Sequence, residues 1–184
     1  MGRKGPPGAG RSWPAGYPLG WGHVTFPARF LPSWRRFQGS ALTRPFQVLL
    51  VDDNPADLLL AQEVFSEYEG ALTVTTCSSG RDALDRLRSP GTRPDVVILD
   101  VNMPVMGGFE VLQAIKDDPA LVCIPVVMLS TSSHPGDVAR AYTLHASSYM
   151  VKSSSFQAFM DQVDAFVTFW RESRTPSWPE RAAT

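Results

Sequence analysis

No acidic residue occurs before Asp52, whereas the first 47 residues hold seven of the chain's 17 bases: Arg3, Lys4, Arg11, Arg29, Arg35, Arg36 and Arg44. The other ten bases therefore share the remainder with all 18 acids, so a basic segment precedes an acidic one. Long hydrophobic runs are also missing. None approaches the ~18–20 apolar residues that a membrane-spanning helix requires. The N-terminus lacks the apolar stretch of a secretory signal. There are only two cysteines, Cys77 and Cys123. Their spacing fits no metal site, and they read as reduced thiols of a cytoplasmic protein.

Residues 1–45 lack any helical or strand period. Seven prolines and eight glycines interrupt them, with Trp13, Trp21 and Trp34 scattered between. That composition builds no regular core, and the segment reads as a disordered or loosely docked basic tail. Basic residues with interleaved aromatics suit a nucleic-acid or membrane-surface arm. The alternative is a dispensable stretch upstream of a true start near residue 40.

Regular texture begins at Phe46. FQVLLV (46–51) suits a strand buried on both faces. Asn54 is a candidate cap, with Pro55 at the first helical position and helical spacing to about Tyr68, where Gly70 stops it. LTVTTC (72–77) reads as a second strand, and Ser79 caps a helix bearing Ala83, Leu84 and Leu87 on one face. PDVVILD (94–100), IPVVMLS (124–130) and SYMVK (148–152) are the remaining strands. FEVLQAIKD and GDVARAYTLH (136–145) supply helices between them. Phe156, Phe159, Met160, Val163, Phe166, Val167 and Trp170 mark a final helix that ends near Arg171. Five strands alternating with five helices predict a doubly wound α/β domain over 46–171, with a five-stranded parallel sheet. A C-terminal tail would fill 172–184.

Such folds bind ligands at the carboxyl ends of their strands, near the point where strand order reverses. Those ends carry Asp52 and Asp53, Asp100, Ser130 and Lys152. Each alone reads as a solvated turn or surface residue; four strand ends supplying five such residues as one set is harder to dismiss. If strand one lies beside strand three, three carboxylates crowd together and need a counter-charge. An all-oxygen donor set favours a hard cation, and Mg²⁺ suits it best.

LLVDDN (49–54), VVILDVNMPVMGG (96–108), IPVVMLS and SYMVK together resemble the receiver domain of two-component response regulators, from about Phe46 to Arg171. The resemblance implies a flavodoxin-like receiver fold with Asp100 as phosphoacceptor. It also implies Mg²⁺ held by Asp53, by Asp52 directly or through water, by Asp100 and by the Asn102 carbonyl. Lys152 would pair with phosphoryl oxygens, Ser130 would hydrogen-bond one, and Tyr149 would be the aromatic switch. The donor would be a sensor histidine kinase. The family usually has Thr at position 130 and, after the lysine, a proline in a cis bond. Ser153 stands there instead, so a trans or strained Lys152–Ser153 bond is expected. Lys152–Ser153, DDNPAD (52–57) and LSTSS (129–133) look most like stand-alone regulators of bacterial phytochrome-type kinases.

Only 13 residues follow Arg171, too few for a DNA-binding or enzymatic domain, so output through changing protein partners is expected. These would be the kinase, a phosphotransfer protein, or a second copy bound through helix four, strand five and helix five. Trp170 and Phe169 are candidates for that surface, although Trp170 equally suits a cover for the core. His23, His134 and His145 show no helical context of a phosphotransfer histidine. Two rival classes remain. A phosphatase of the haloacid dehalogenase type needs an Asp-x-Asp that Asp52-Asp53-Asn54 lacks. An unphosphorylated pseudo-receiver, acting purely in docking, would not need the complete set of Asp52, Asp53, Asp100, Ser130 and Lys152.

Overall fold

The apolar run Phe46–Val51 is β1 in a computed structural model that describes residues 45–172 apart from Glu69, Thr92 and Ser154. The expected tails, 1–45 and 172–184, lie outside the described residues except for Pro45 and Glu172. The chain continues through α1 (Pro55–Ser66), β2 (Leu72–Cys77), α2 (Gly80–Arg88), β3 (Val96–Asp100) and α3 (Gly108–Asp117). It ends with β4 (Val126–Ser130), α4 (Pro135–Thr143), β5 (Ser148–Val151) and α5 (Phe156–Glu172). The strands form one parallel sheet in the order β2-β1-β3-β4-β5. Strand one does lie beside strand three, and strand order reverses there.

Side chains alternate faces along a strand, and that alternation divides the core in two. Leu49, Val51, Val97, Leu99, Val126 and Met128 pack with Leu84 of α2 and Leu112 of α3. Their sequence neighbours Val48, Leu50, Val96, Ile98, Val127 and Leu129 pack with Leu60 of α1 and Phe159 of α5. A sheet covered on both faces explains why the central strands read as unbroken apolar runs.

The caps behave as expected. Asn54 Oδ1 accepts the Ala56 N–H at 3.0 Å, with Pro55 inside the first turn, and Ser79 Oγ accepts the Asp82 N–H at 3.1 Å. Element ends move where backbone donors are missing or diverted. The third strand starts at Val96, not Pro94, because proline has no N–H and Asp95 turns to Gln47: its N–H donates to Gln47 O, and its Oδ2 accepts the Gln47 N–H. Pro125 trims the fourth strand likewise. Helix α1 ends at Ser66, short of Tyr68, and Gly70 follows with φ +83°. Among the described residues no peptide bond is cis, so Lys152–Ser153 is trans.

Trp170 covers the core. It is buried and tilted against Phe166 at 6.1 Å between ring centroids, whereas Phe169, edge-on to Trp170, is 61% exposed. Trp170 is thereby removed from the candidate dimer surface, because its ring is already spent on its own domain. Trp170→Ala is expected to lower unfolding free energy by about 3–5 kcal/mol in chemical denaturation, and Phe169→Ala by about 1 kcal/mol or less.

Candidate functional site

Strand register sets the positions of the site residues. Val51 lies level with Leu99, Asp100 with Leu129, and Ser130 with Val151. Asp52 therefore leaves β1 level with Asp100, and Lys152 comes one step beyond Ser130 on the adjoining strand. Parity decides the face. Asp52, Asp100 and Lys152 alternate with residues of the other face and fall in line with Leu50, Ile98 and Met150 on the α1/α5 side.

There the Lys152 ammonium meets three carboxylates. Nζ lies 2.7 Å from Asp52 Oδ2, 2.8 Å from Asp57 Oδ2 and 2.8 Å from Asp100 Oδ1. All four residues are buried. The two strand-end carboxylates are oriented alike. Asp52 Oδ1 accepts the Asn54 N–H at 2.9 Å, and Asp100 Oδ2 accepts the Asn102 N–H at 2.6 Å. Each Asp thus uses one oxygen to fix its own turn and the other to hold Lys152.

The third carboxylate at the lysine is Asp57, which the sequence reading did not single out, while Asp53, expected as a metal ligand, is exposed. Among the described residues, no three acidic, histidine or cysteine side chains are arranged as a metal cage. The ammonium occupies the space between Asp52 and Asp100. In the sequence, Asp57 looks like an ordinary acidic residue of a helix's first turn, favourable to the helix dipole. The signal that could have found it is its place one turn after the Asn54 cap, on the helix that follows Asp52.

Electrostatics are unequal across this cluster. Burial pushes Asp52 up from 3.8 to about 6, against the pull of Lys152 and of the Asn54 N–H, with Asp100 adding to the rise. Burial alone would lower Lys152, but its bonds to Asp100, Asp52 and Asp57 outweigh that and hold it well above its usual value. With all four ionised, one ammonium faces three carboxylates, an excess of two negative charges. Buried oxygen donors with surplus negative charge fit a hard divalent cation.

Ser130 and Tyr149 lie on the other face. Leu129 belongs to the α1/α5 core and Tyr149 packs against the opposite one, so Ser130 alternates toward the α3/α4 side. Ser130 Oγ accepts the Ser132 N–H at 3.1 Å, and the Tyr149 hydroxyl donates to Ser132 O at 2.9 Å. Asn102 is exposed in the loop after Asp100. Helix α3 starts hard against that loop. The Gly108 N–H bonds Val101 O at 2.9 Å, and a Cβ on Gly108 would collide with the Asp100 carbonyl. Val105, fully exposed at the tip, sits at φ +67° in a γ-turn closed by Met106 N–H to Pro104 O.

The family model of the response regulator receiver domain matches residues 48–164. Response regulator Rcp1 of Synechocystis sp. is 36% identical over 71% of this chain and 92% of its own. The probable methanogenesis regulatory protein FilR2 of Methanothrix harundinacea is 38% identical over 68% of this chain and 84% of its own. Among solved structures, the phosphorylated cyanobacterial phytochrome response regulator RcpA matches with TM-score 0.68 at 37% identity, covering 72% of this chain and 99% of that one. The Mn²⁺-bound form of Rcp1 matches with TM-score 0.65, covering 71% of this chain and 98% of that one.

The Asp52 shift has a measurable consequence. Its folded value lies above its unfolded one, so its contribution to stability is full below about pH 4 and lost as the pH rises through about 6. In a chelator, Asp52→Asn should match the wild type near pH 4 and exceed it by about 1–3 kcal/mol near pH 8. Added Mg²⁺ should close the gap. A difference that does not vary with pH would refute the burial-driven shift.

Proposed function

The chain belongs to the response regulator receiver family, which takes a phosphoryl group from a sensor histidine kinase onto an aspartate, and from that premise we propose that Asp100 is the acceptor. The observation that carries this is the Lys152 ammonium 2.8 Å from Asp100 Oδ1, at the carboxyl end of a central strand. An Asp100 oxygen attacks the phosphorus of the kinase's phosphohistidine in line. The P–N bond breaks, and the imidazole leaves with the electron pair. Lys152 meets the charge on the phosphoryl oxygens as it develops, so the protein supplies chiefly position and electrostatics. Receiver domains bind Mg²⁺ or Mn²⁺ at their acidic pocket. Here Asp52, Asp53, Asp100 and the Asn102 carbonyl would hold Mg²⁺, which when bound supplies positive charge to the phosphoryl oxygens.

The readout runs through the other face. A hydroxyl accepts and donates at once. Ser130 can therefore keep the Ser132 N–H and still donate to a phosphoryl oxygen, drawing on the loop whose carbonyl holds Tyr149. Ser130 and Tyr149 are the switch pair, and the surface of α4, β5 and α5 is what they remodel.

Likeness to the cyanobacterial phytochrome response regulator RcpA and to the bacteriophytochrome response regulator AtBRR, joined to the Lys152–Ser153 pair, supports a phytochrome-type kinase as partner. Exposed Tyr142 on α4 and Phe169 on α5 support a homodimer through that surface. A phosphotransfer protein is a further partner in this reading. The receiver unit is 46–171, flanked by tails 1–45 and 172–184. It works in the cytoplasm as a signalling protein whose only chemistry is on its own Asp100. Among the described residues no helix is long and apolar enough to cross a membrane.

Incubation with acetyl phosphate and Mg²⁺ should add the mass of one phosphoryl group, and Asp100→Asn should abolish the gain. No gain in the wild type, or a gain that survives Asp100→Asn, would return the protein to the docking-only class.

A further inference from the structure

Lys152 has three N–H donors, and three carboxylates lie within hydrogen-bond distance of its nitrogen. Two of them have further duties. Asp100 is the nucleophile, and Asp52 is a candidate ligand of the divalent cation. Each also spends its second oxygen on a backbone N–H two residues ahead. Asp57 comes from a separate element. It sits in the first turn of α1, whose start is pinned by the Asn54 cap and Pro55, and nothing in the transfer claims its Oδ2.

A lysine tail is long and flexible, and an ammonium in mid-reaction needs an anchor that stays put. With the phosphoryl group in place, one Asp100 oxygen would be bonded to phosphorus and Asp52 would be among the residues holding the cation, so neither carboxylate would serve Lys152 alone. The cavity beside Asp52 and Asp57, about 30 Å³, is otherwise walled mainly by side chains such as Leu50, Ile98, Leu129 and Phe159. The one other polar residue on its wall is Gln162, whose buried Oε1 has no hydrogen-bond partner and, being neutral, is a weaker acceptor for an ammonium than a carboxylate.

We propose that Asp57 is a positioning residue for the phosphoryl transfer: it holds the Lys152 ammonium beside Asp100 while Asp52 and Asp100 are occupied elsewhere. Asp57 touches no reacting atom and acts through Lys152 alone. The inference rests on the assignment of Asp100 as acceptor. Losing Asp57 should not unfold the chain, because the cluster carries surplus negative charge and Lys152 keeps two partners.

The test is a double-mutant cycle. Phosphorylation of the full chain by acetyl phosphate at saturating Mg²⁺ is followed by intact mass for the wild type, Asp57→Asn, Lys152→Ala and the double variant. Asp57→Asn should slow the reaction about tenfold in the wild-type background and less than about twofold in the Lys152→Ala background, as for residues that act as a unit. Thermal melts in chelator should show Asp57→Asn at least as stable as the wild type. Equal slowing in both backgrounds, no slowing in the wild type, or a large loss of stability would overturn the proposal. Asp57→Ser, run beside Asp57→Asn, should give the same pattern of rates and stability. Phosphorylation that survives Asp100→Asn would instead overturn the acceptor assignment, a distinct result.

Discussion

One buried ammonium allows carboxylates to end the central strands. Without Lys152, Asp52 and Asp100 would be uncompensated charges at the edge of two apolar cores, and removing one partner of a buried ion pair costs about 3–5 kcal/mol. The arrangement is still over-supplied with negative charge. Three carboxylates bond one ammonium, and burial leaves Asp52 at about 6. Stability and function pull in opposite directions here. A cluster neutral at rest would be more comfortable, but it would have less need of a cation and less readiness to accept a phosphoryl group.

The same alternation that makes the two cores divides the site's labour. The charged cluster lies on the α1/α5 side, and the hydroxyl and phenol lie on the α3/α4 side. Two short bonds tie the second side together. Ser132 N–H reaches Ser130 Oγ, and Ser132 O accepts from Tyr149. Neither bond needs a long path, because parallel pairing brings Ser130 and Val151 level.

Strand ends were legible in the sequence because their period is short and their content unusual. An apolar run that stops on Asp52-Asp53, on Asp100 or on Ser130 announces both a buried strand and an edge where polar atoms reach water. Strand order was legible only as a condition, and β1 beside β3 satisfies it. What the sequence could not convey was which polar groups meet across elements. Asp57 has the composition of a helix start, and only the packing of α1 turns its carboxylate into the lysine's third partner. Trp170 was ambiguous for a related reason, since helical spacing puts it near a boundary where one rotation separates cover from contact. Phe169 takes the exposed place and Trp170 the buried one. Asp53 reads identically to Asp52 in the sequence, yet one is exposed and the other buried.

Unequal packing indicates where a change at Asp100 travels. Helix α3 buries Phe109, Val111, Leu112 and Ile115, and its start is locked to the Asp100 backbone at Gly108. That side cannot yield without disturbing the core. Helix α4 buries only Ala141. It is capped by the exposed His134 imidazole, which accepts the Gly136 N–H at 3.1 Å, and tied to α3 by the Arg140 guanidinium over the Phe109 ring at 4.3 Å. Few buried apolar contacts make an element cheap to move, and elements that move in switching are drawn from the least stable part of a fold. The loop from Ser130 to His134 leads into that helix, and Tyr149 holds it from β5. Under the proposed switch, a pull on Ser130 would meet a rigid wall at α3 and a compliant one at α4, and α4 would be the element to carry the signal outward.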